Sequence, residues 1–209
     1  MKRRARQFLN HIALPGLILL LFSAIGAFLL AGTHQLTAPA IDRAQRALLQ
    51  SLLTQVMPTE VFDNDLTQAR IDLPADPLLG LKKPGQGYVA RQGGKPVGVV
   101  LEVIAPDGYA GVIRLIVGIH ADGRLGGVRV VAHQETPGLA DYIEIKRSPW
   151  INQFGGKSLN EPAPAGWAVR KDGGTFDYRT GATVTPRAIV KAVHHALQYF
   201  EREREQLLK

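Results

Sequence analysis

The 209 residues, 45% hydrophobic and 21% charged, suffice for one moderate domain with a real core plus a single membrane anchor. Cysteine is absent, which excludes disulfides, thiolate metal sites, iron–sulfur clusters and a cysteine nucleophile in this chain. The net charge is +7, but Lys2, Arg3, Arg4 and Arg6 supply four of those charges, and the +3 left for everything after them argues against a nucleic-acid-binding face.

From Ile12 to Gly32 the chain runs 21 residues without a charge. At about 1.5 Å per residue this spans a bilayer core of roughly 30 Å. The apolar region of a cleaved signal peptide is shorter, about 7 to 15 residues, so residues 12–32 are expected to be an uncleaved signal anchor. The basic residues precede the run, and the next charges after it are Asp42, Arg43 and Arg46. The positive-inside rule then puts residues 1–11 in the cytoplasm as a basic tail and the main domain outside it.

Residues 33–86 are expected to form a juxtamembrane helix and a connector. Ala44, Ala47, Leu48, Leu52, Val56 and Met57 share one helical face, predicting a helix over 41–57 bounded by Pro39 and Pro58. The prolines and acids that follow show no periodicity, so 58–86 is read as irregular. From Gly87 onward, β-rich runs cover 88–91, 97–104, 112–120 and 125–132. Gly-Gly-Lys-Pro, Pro-Asp-Gly and Ala-Asp-Gly turns separate them, as in consecutive antiparallel hairpins. Several runs are apolar on both faces, which predicts a sheet covered by helices. With helices expected near 140–153 and over 186–205, the fold class is α+β, and the domain is placed at 87–209.

Three stretches carry chemistry. Gly108-Tyr109-Ala110-Gly111 opens a strand, and by itself needs only a hairpin turn to explain it. His133-Gln134-Glu135-Thr136-Pro137-Gly138-Leu139 ends another strand with a hydroxyl, a carboxylate and a glycine that permits close backbone approach. His133 and Glu135 also raise the alternatives of a metal or acid–base pair, although no other histidine stands at ligand spacing. Finally, Asp177-Tyr178-Arg179-Thr180-Gly181-Ala182-Thr183-Val184-Thr185-Pro186 reads as a tight loop entering a helix. In that reading Thr185 is the N-cap and Pro186 the first helical residue. Such a junction directs backbone N–H groups at an anion, and Gly181 and Ala182 leave room beside the Thr183 hydroxyl.

D-x-x-T-G-A-T followed by V-T-P resembles the flavinylation motif of a family of FMN-binding domains. These occur in the G subunit of the Rnf/Rsx electron-transport complex and the C subunit of the sodium-pumping NADH:quinone reductase. G-Y-x-G-x-I and H-x-E-T-P-G-L resemble two further signatures of that family, in the expected order. The total length fits the Rnf/Rsx member better. The resemblance implies FMN held through a phosphoester on Thr183, with Asp177, Thr180, Gly181, Ala182 and Thr185 shaping the attachment loop. It also implies that Glu135, Thr136, Gly138, Leu139 and Tyr109 line the flavin. Ala140 departs from the pattern, since many relatives carry Gly there. A left-handed backbone at that position would cost Ala about 1 kcal/mol.

By the same resemblance the chain is an electron-relaying flavoprotein subunit in the bacterial inner membrane, with a periplasmic domain. Its implied partners are the other membrane and iron–sulfur subunits of an ion-translocating complex. A separate Mg-dependent flavin transferase, using FAD as donor, would install the flavin. The competing readings are an anchored non-redox binding or assembly domain and a hydrolase built on Thr183, His133 and Glu135.

Overall fold

A computed structural model describes residues 2–209, with side-chain surroundings for Ala13 and for residues 15–209. The surroundings of the basic side chains at 2–6 lie outside the described residues. Helix α1 runs Lys2–Val56, then strands β1 (Arg70–Leu73), β2 (Gly85–Gln92), β3 (Lys95–Ala105), β4 (Ile113–His120) and β5 (Leu125–Ala132) follow. Short 3₁₀ turns lead to the final helix α2, Val184–Leu207. Packing divides the chain into Met1–Ala47 and Leu48–Lys209. Among the described residues, one helical stretch, within Pro15–Val56, is long and apolar enough to cross a membrane.

The helix predicted to begin after Pro39 instead continues through it. Proline deletes one donor, and the carbonyl it leaves behind belongs to Gln35, an exposed residue, so flanking helix formers carry the helix across.

The five strands form an antiparallel meander in the order β1-β2-β3-β4-β5. Alternation along β3 sends Val99, Leu101, Val103 and Ala105 to the main core under α2, and Val100 to the opposite face. There Tyr88, Ala90 and Ile116 meet Leu53, Val56 and Met57 at the end of α1. Both faces are therefore covered, as the doubly apolar strands require. Close approach at the second face depends on glycine: a Cβ added at Gly118 would sit 2.2 Å from the Val56 carbonyl oxygen, and one at Gly126 2.4 Å from it.

Two expectations are corrected. The connector contains β1, which pairs with β2 in the register Arg70 with Tyr88 and Leu73 with Gly85. Four residues are too few to display alternation, so only the neighbouring strand defines it. The helix expected near 140–153 is two 3₁₀ turns, Asp141–Ile143 and Pro149–Phe154. Pro149 holds Ser148 in extended backbone, and the Ser148 hydroxyl then accepts the Trp150 N–H.

Candidate functional site

The loop before α2 is shaped by a turn from Arg179 to Ala182, closed by the Ala182 N–H donating to the Arg179 carbonyl at 3.1 Å. Its third residue, Gly181, has φ +87, the conformation a type II turn demands there. Tyr142, buried in the first 3₁₀ turn, secures this loop from below. Its hydroxyl accepts the Arg179 N–H and donates to the Ala182 carbonyl, each at 3.3 Å. Burial raises the phenol's pKa, against the opposing pull of the Arg179 amide and charge, so the hydroxyl keeps the proton it donates.

The segment after β5 forms the facing wall. The Leu139 and Ala140 N–H groups both donate to the Thr136 carbonyl, and Gly138 takes φ +77. Ala140 sits at φ −109, ψ −4, so the left-handed position falls on Gly138 and Ala140 carries no such penalty. Between the walls lies a cavity of about 190 Å³. It is lined by Thr136, Leu139 and Ala140 on one side and by residues 181–185 on the other, with Tyr109 at its edge. Tyr109 is 71% exposed, and Leu139 and Val184 are also exposed, an apolar rim around a small-residue floor.

Glu135 stands behind this wall rather than in it. It is 3% exposed; one carboxylate oxygen accepts the Ala110 N–H at 3.1 Å and the other accepts the Thr185 hydroxyl at 2.6 Å. It thereby ties three segments together: the Gly108–Gly111 loop, the segment after β5, and the first turn of α2. Gly108 is required by this packing, because a Cβ there would fall 2.9 Å from the Glu135 carboxylate and 2.2 Å from the Gly111 carbonyl. His133 supports the arrangement from outside. Its Nδ1 accepts the Glu135 N–H at 3.0 Å, which puts the ring proton on Nε2, 2.7 Å from the Glu144 carboxylate.

The predicted N-cap is corrected by the same contacts. α2 begins at Val184, with Thr183 in the cap position, and the Thr185 hydroxyl goes to a buried carboxylate instead of to backbone. A charge-assisted bond in the core outweighs a capping bond to a neutral amide. Thr183 itself is half-buried, lines the cavity and makes no side-chain capping bond. Asp177 and Thr180 are exposed and do not line the cavity. Asp177 pairs with Arg170 at 2.9 Å, and its carbonyl accepts the Trp150 indole N–H at 2.7 Å. Of the neighbouring cations, Arg187 is committed to both oxygens of Asp172 at 2.5 and 2.6 Å, and the Arg179 guanidinium lies 4.6 Å over the Tyr142 ring. Tyr142 is the supporting residue that the sequence does not reveal; nothing in the run Ala140-Asp141-Tyr142 marks it as a brace for residues forty positions away.

Residues 108–198 match the FMN-binding domain family, and residues 1–56 match the RnfG N-terminal region. The chain is 53% identical over 192 residues to the G subunit of the ion-translocating oxidoreductase complex of Pseudomonas aeruginosa, covering 92% of this chain and 90% of that one. It is 46% identical to the G subunit of Shewanella baltica over 95% of this chain and 93% of the relative, and 46% identical to that of Vibrio cholerae over 95% of each. The chain belongs to the G-subunit family of the Rnf ion-translocating oxidoreductase complex.

Membership makes the chain a flavoprotein of a membrane complex, with FMN as its cofactor. The cavity fits such a group on its own chemistry. Gly181, Ala182 and Ala140 leave room where larger side chains would fill it, Leu139, Val184 and Tyr109 offer apolar contact to a ring system, and the first turn of α2 offers N–H groups to a phosphate.

Proposed function

We propose that this chain relays electrons within its complex through FMN attached by a phosphoester to Thr183. Bound FMN supplies one- and two-electron transfer at a potential the surrounding protein tunes. The observation that carries the reading is Thr183: half-buried on the cavity wall, its side chain free of a capping bond, and at the N-terminus of a helix of 24 residues. A phosphodiester at this place keeps one negative charge, which the start of α2 stabilises by about 0.3 to 1 kcal/mol. The Tyr142 bridge holds the loop in shape, and the apolar rim of Tyr109, Leu139 and Val184 offers contact to the ring system.

Threonine is a weak nucleophile unaided, and among the cavity-lining residues none is a histidine, carboxylate or lysine that could serve as its base. This supports installation by a separate transferase using FAD. The chain is then the substrate of that reaction. The basic residues ahead of the apolar run support a cytoplasmic N-terminus and a periplasmic domain in the inner membrane, where iron–sulfur and membrane subunits are its electron partners.

The test is co-expression with an active flavin transferase. The purified chain should absorb in the visible, fluoresce as a band on a denaturing gel, and exceed its sequence mass by one FMN less one water. Thr183→Ala should remove all covalent flavin and keep the fold, whereas Thr180→Ala should keep the flavin. Absence of covalent flavin from the wild-type chain would leave an anchored binding or assembly domain as the function.

A further inference from the structure

The attachment segment offers three hydroxyls within six residues, Thr180, Thr183 and Thr185, and the fold treats each differently. Thr180 is exposed on the outside of the turn, away from the cavity. Thr183 and Thr185 both contribute to the cavity wall, two residues apart at the start of α2. What separates them is Glu135, whose buried carboxylate holds the Thr185 hydroxyl at 2.6 Å while its other oxygen is anchored by the Ala110 N–H.

We propose that Glu135 selects which threonine of the attachment segment is modified, by turning the Thr185 hydroxyl into the core and leaving Thr183 as the acceptor this segment presents to the cavity. The inference rests on the reading of Thr183 as the attachment residue. In that transfer the bond between the FMN phosphorus and the bridging oxygen of a flavin dinucleotide's pyrophosphate breaks. A bond from the same phosphorus to threonine Oγ1 forms, AMP leaves, and the hydroxyl proton passes to the transferase or solvent, with no change of oxidation state. A hydroxyl can enter this step only if its oxygen can reach phosphorus. Thr185 is 1% exposed, and turning its oxygen toward the cavity means giving up a short hydrogen bond to a charged, buried partner. The carboxylate does not activate Thr185 in place, because the oxygen it would activate points away from any donor. Glu135 is thus a positioning residue whose effect on the reaction is one of site choice.

The experiment localises covalent flavin by peptide mass spectrometry after co-expression with the transferase. The wild-type chain should be labelled at Thr183, and Thr183→Ala should be unlabelled. Adding Glu135→Gln leaves one carbonyl for the Ala110 N–H and replaces the bond from Thr185 to a carboxylate with a weaker neutral one donated by the side-chain NH₂ to the Thr185 oxygen, so the hydroxyl is held less firmly in the core. Thr183→Ala combined with Glu135→Gln should then gain label at position 185, roughly tenfold to a hundredfold above Thr183→Ala alone, the factor by which a bond to a charged group restrains a hydroxyl. Glu135→Asp, too short to reach Thr185, serves as the second variant if the glutamine form loses the parent's circular dichroism. Thr185→Ser in the Thr183→Ala background keeps the hydrogen bond and should stay unlabelled. The inference is overturned if the wild type is labelled at Thr183 yet the folded double variants show no gain at position 185, or if Thr185→Ser is labelled with Glu135 intact. A wild-type chain without any label would instead remove the reading on which it rests.

Discussion

The Tyr142 hydroxyl lies between the Arg179 amide and the Ala182 carbonyl, 3.3 Å from each, and so braces from the core the turn that presents Thr183. Tyr142 is 1% exposed. Tyr142→Phe should therefore keep the packing but leave two backbone groups short of a partner. We expect a loss of about 1 to 3 kcal/mol in chemical denaturation and reduced flavin loading. Unchanged stability and loading together would mean the turn holds itself.

Gly181→Ala separates conformation from crowding. An added Cβ would meet only Leu139 Cδ1 at 3.9 Å, an ordinary contact, so space is available. The φ of +87 is what alanine resists, at about 1 to 2 kcal/mol. Covalent loading should fall while the melting temperature drops by only a few degrees.

Gly118→Ala should be the more damaging replacement although it is remote from the cavity. Its Cβ would be driven to 2.2 Å from the Val56 carbonyl oxygen, pushing the end of α1 off the sheet. A loss of about 1 to 3 kcal/mol is expected in thermal or chemical unfolding of the full chain in detergent.

Acid stability should depend on His194 and His195. Burial lowers the pKa of both below the ordinary value; His195 adds to the effect at His194, and Lys191 adds at His195 while Asp107 opposes it. Lowered values mean that the unfolded chain binds protons first as pH falls. The stability these histidines contribute is thus complete above their unfolded value, about 6.5, and is lost as pH drops from there through their folded values. His194 also stacks on Trp167 at 5.0 Å between ring centroids, so His194→Gln weakens packing at every pH but should flatten the acid slope. An unaltered slope in unfolding curves between neutral pH and about pH 5 would assign it to other groups.

Topology is tested by fusions after Lys209. A reporter active only outside the cytoplasm should be active there, and one requiring the cytoplasm silent. The reverse pattern would refute the periplasmic placement and the route of flavin attachment with it.

Four of the five sheet strands, their turns, the apolar run and the three motifs were legible because each is a local pattern: alternation, glycine punctuation, unbroken hydrophobicity and a spacing of residue types. That Tyr109, Thr136, Leu139 and residues 181–185 meet around one cavity depends on α2 packing across β3 and β4, which no local pattern encodes. Tertiary structure also decided the fate of individual side chains. Glu135, placed by resemblance against the flavin, is buried behind the wall because two donors from distant segments converge on it. Thr185, read as a helix cap from its neighbours in sequence, bonds instead to a carboxylate fifty residues away. β1 exists only because β2 offers it an edge, and Pro39, a boundary by rule, lies inside a helix. Local sequence sets which conformations are inexpensive; which of them is kept depends on what long-range packing places opposite each polar group.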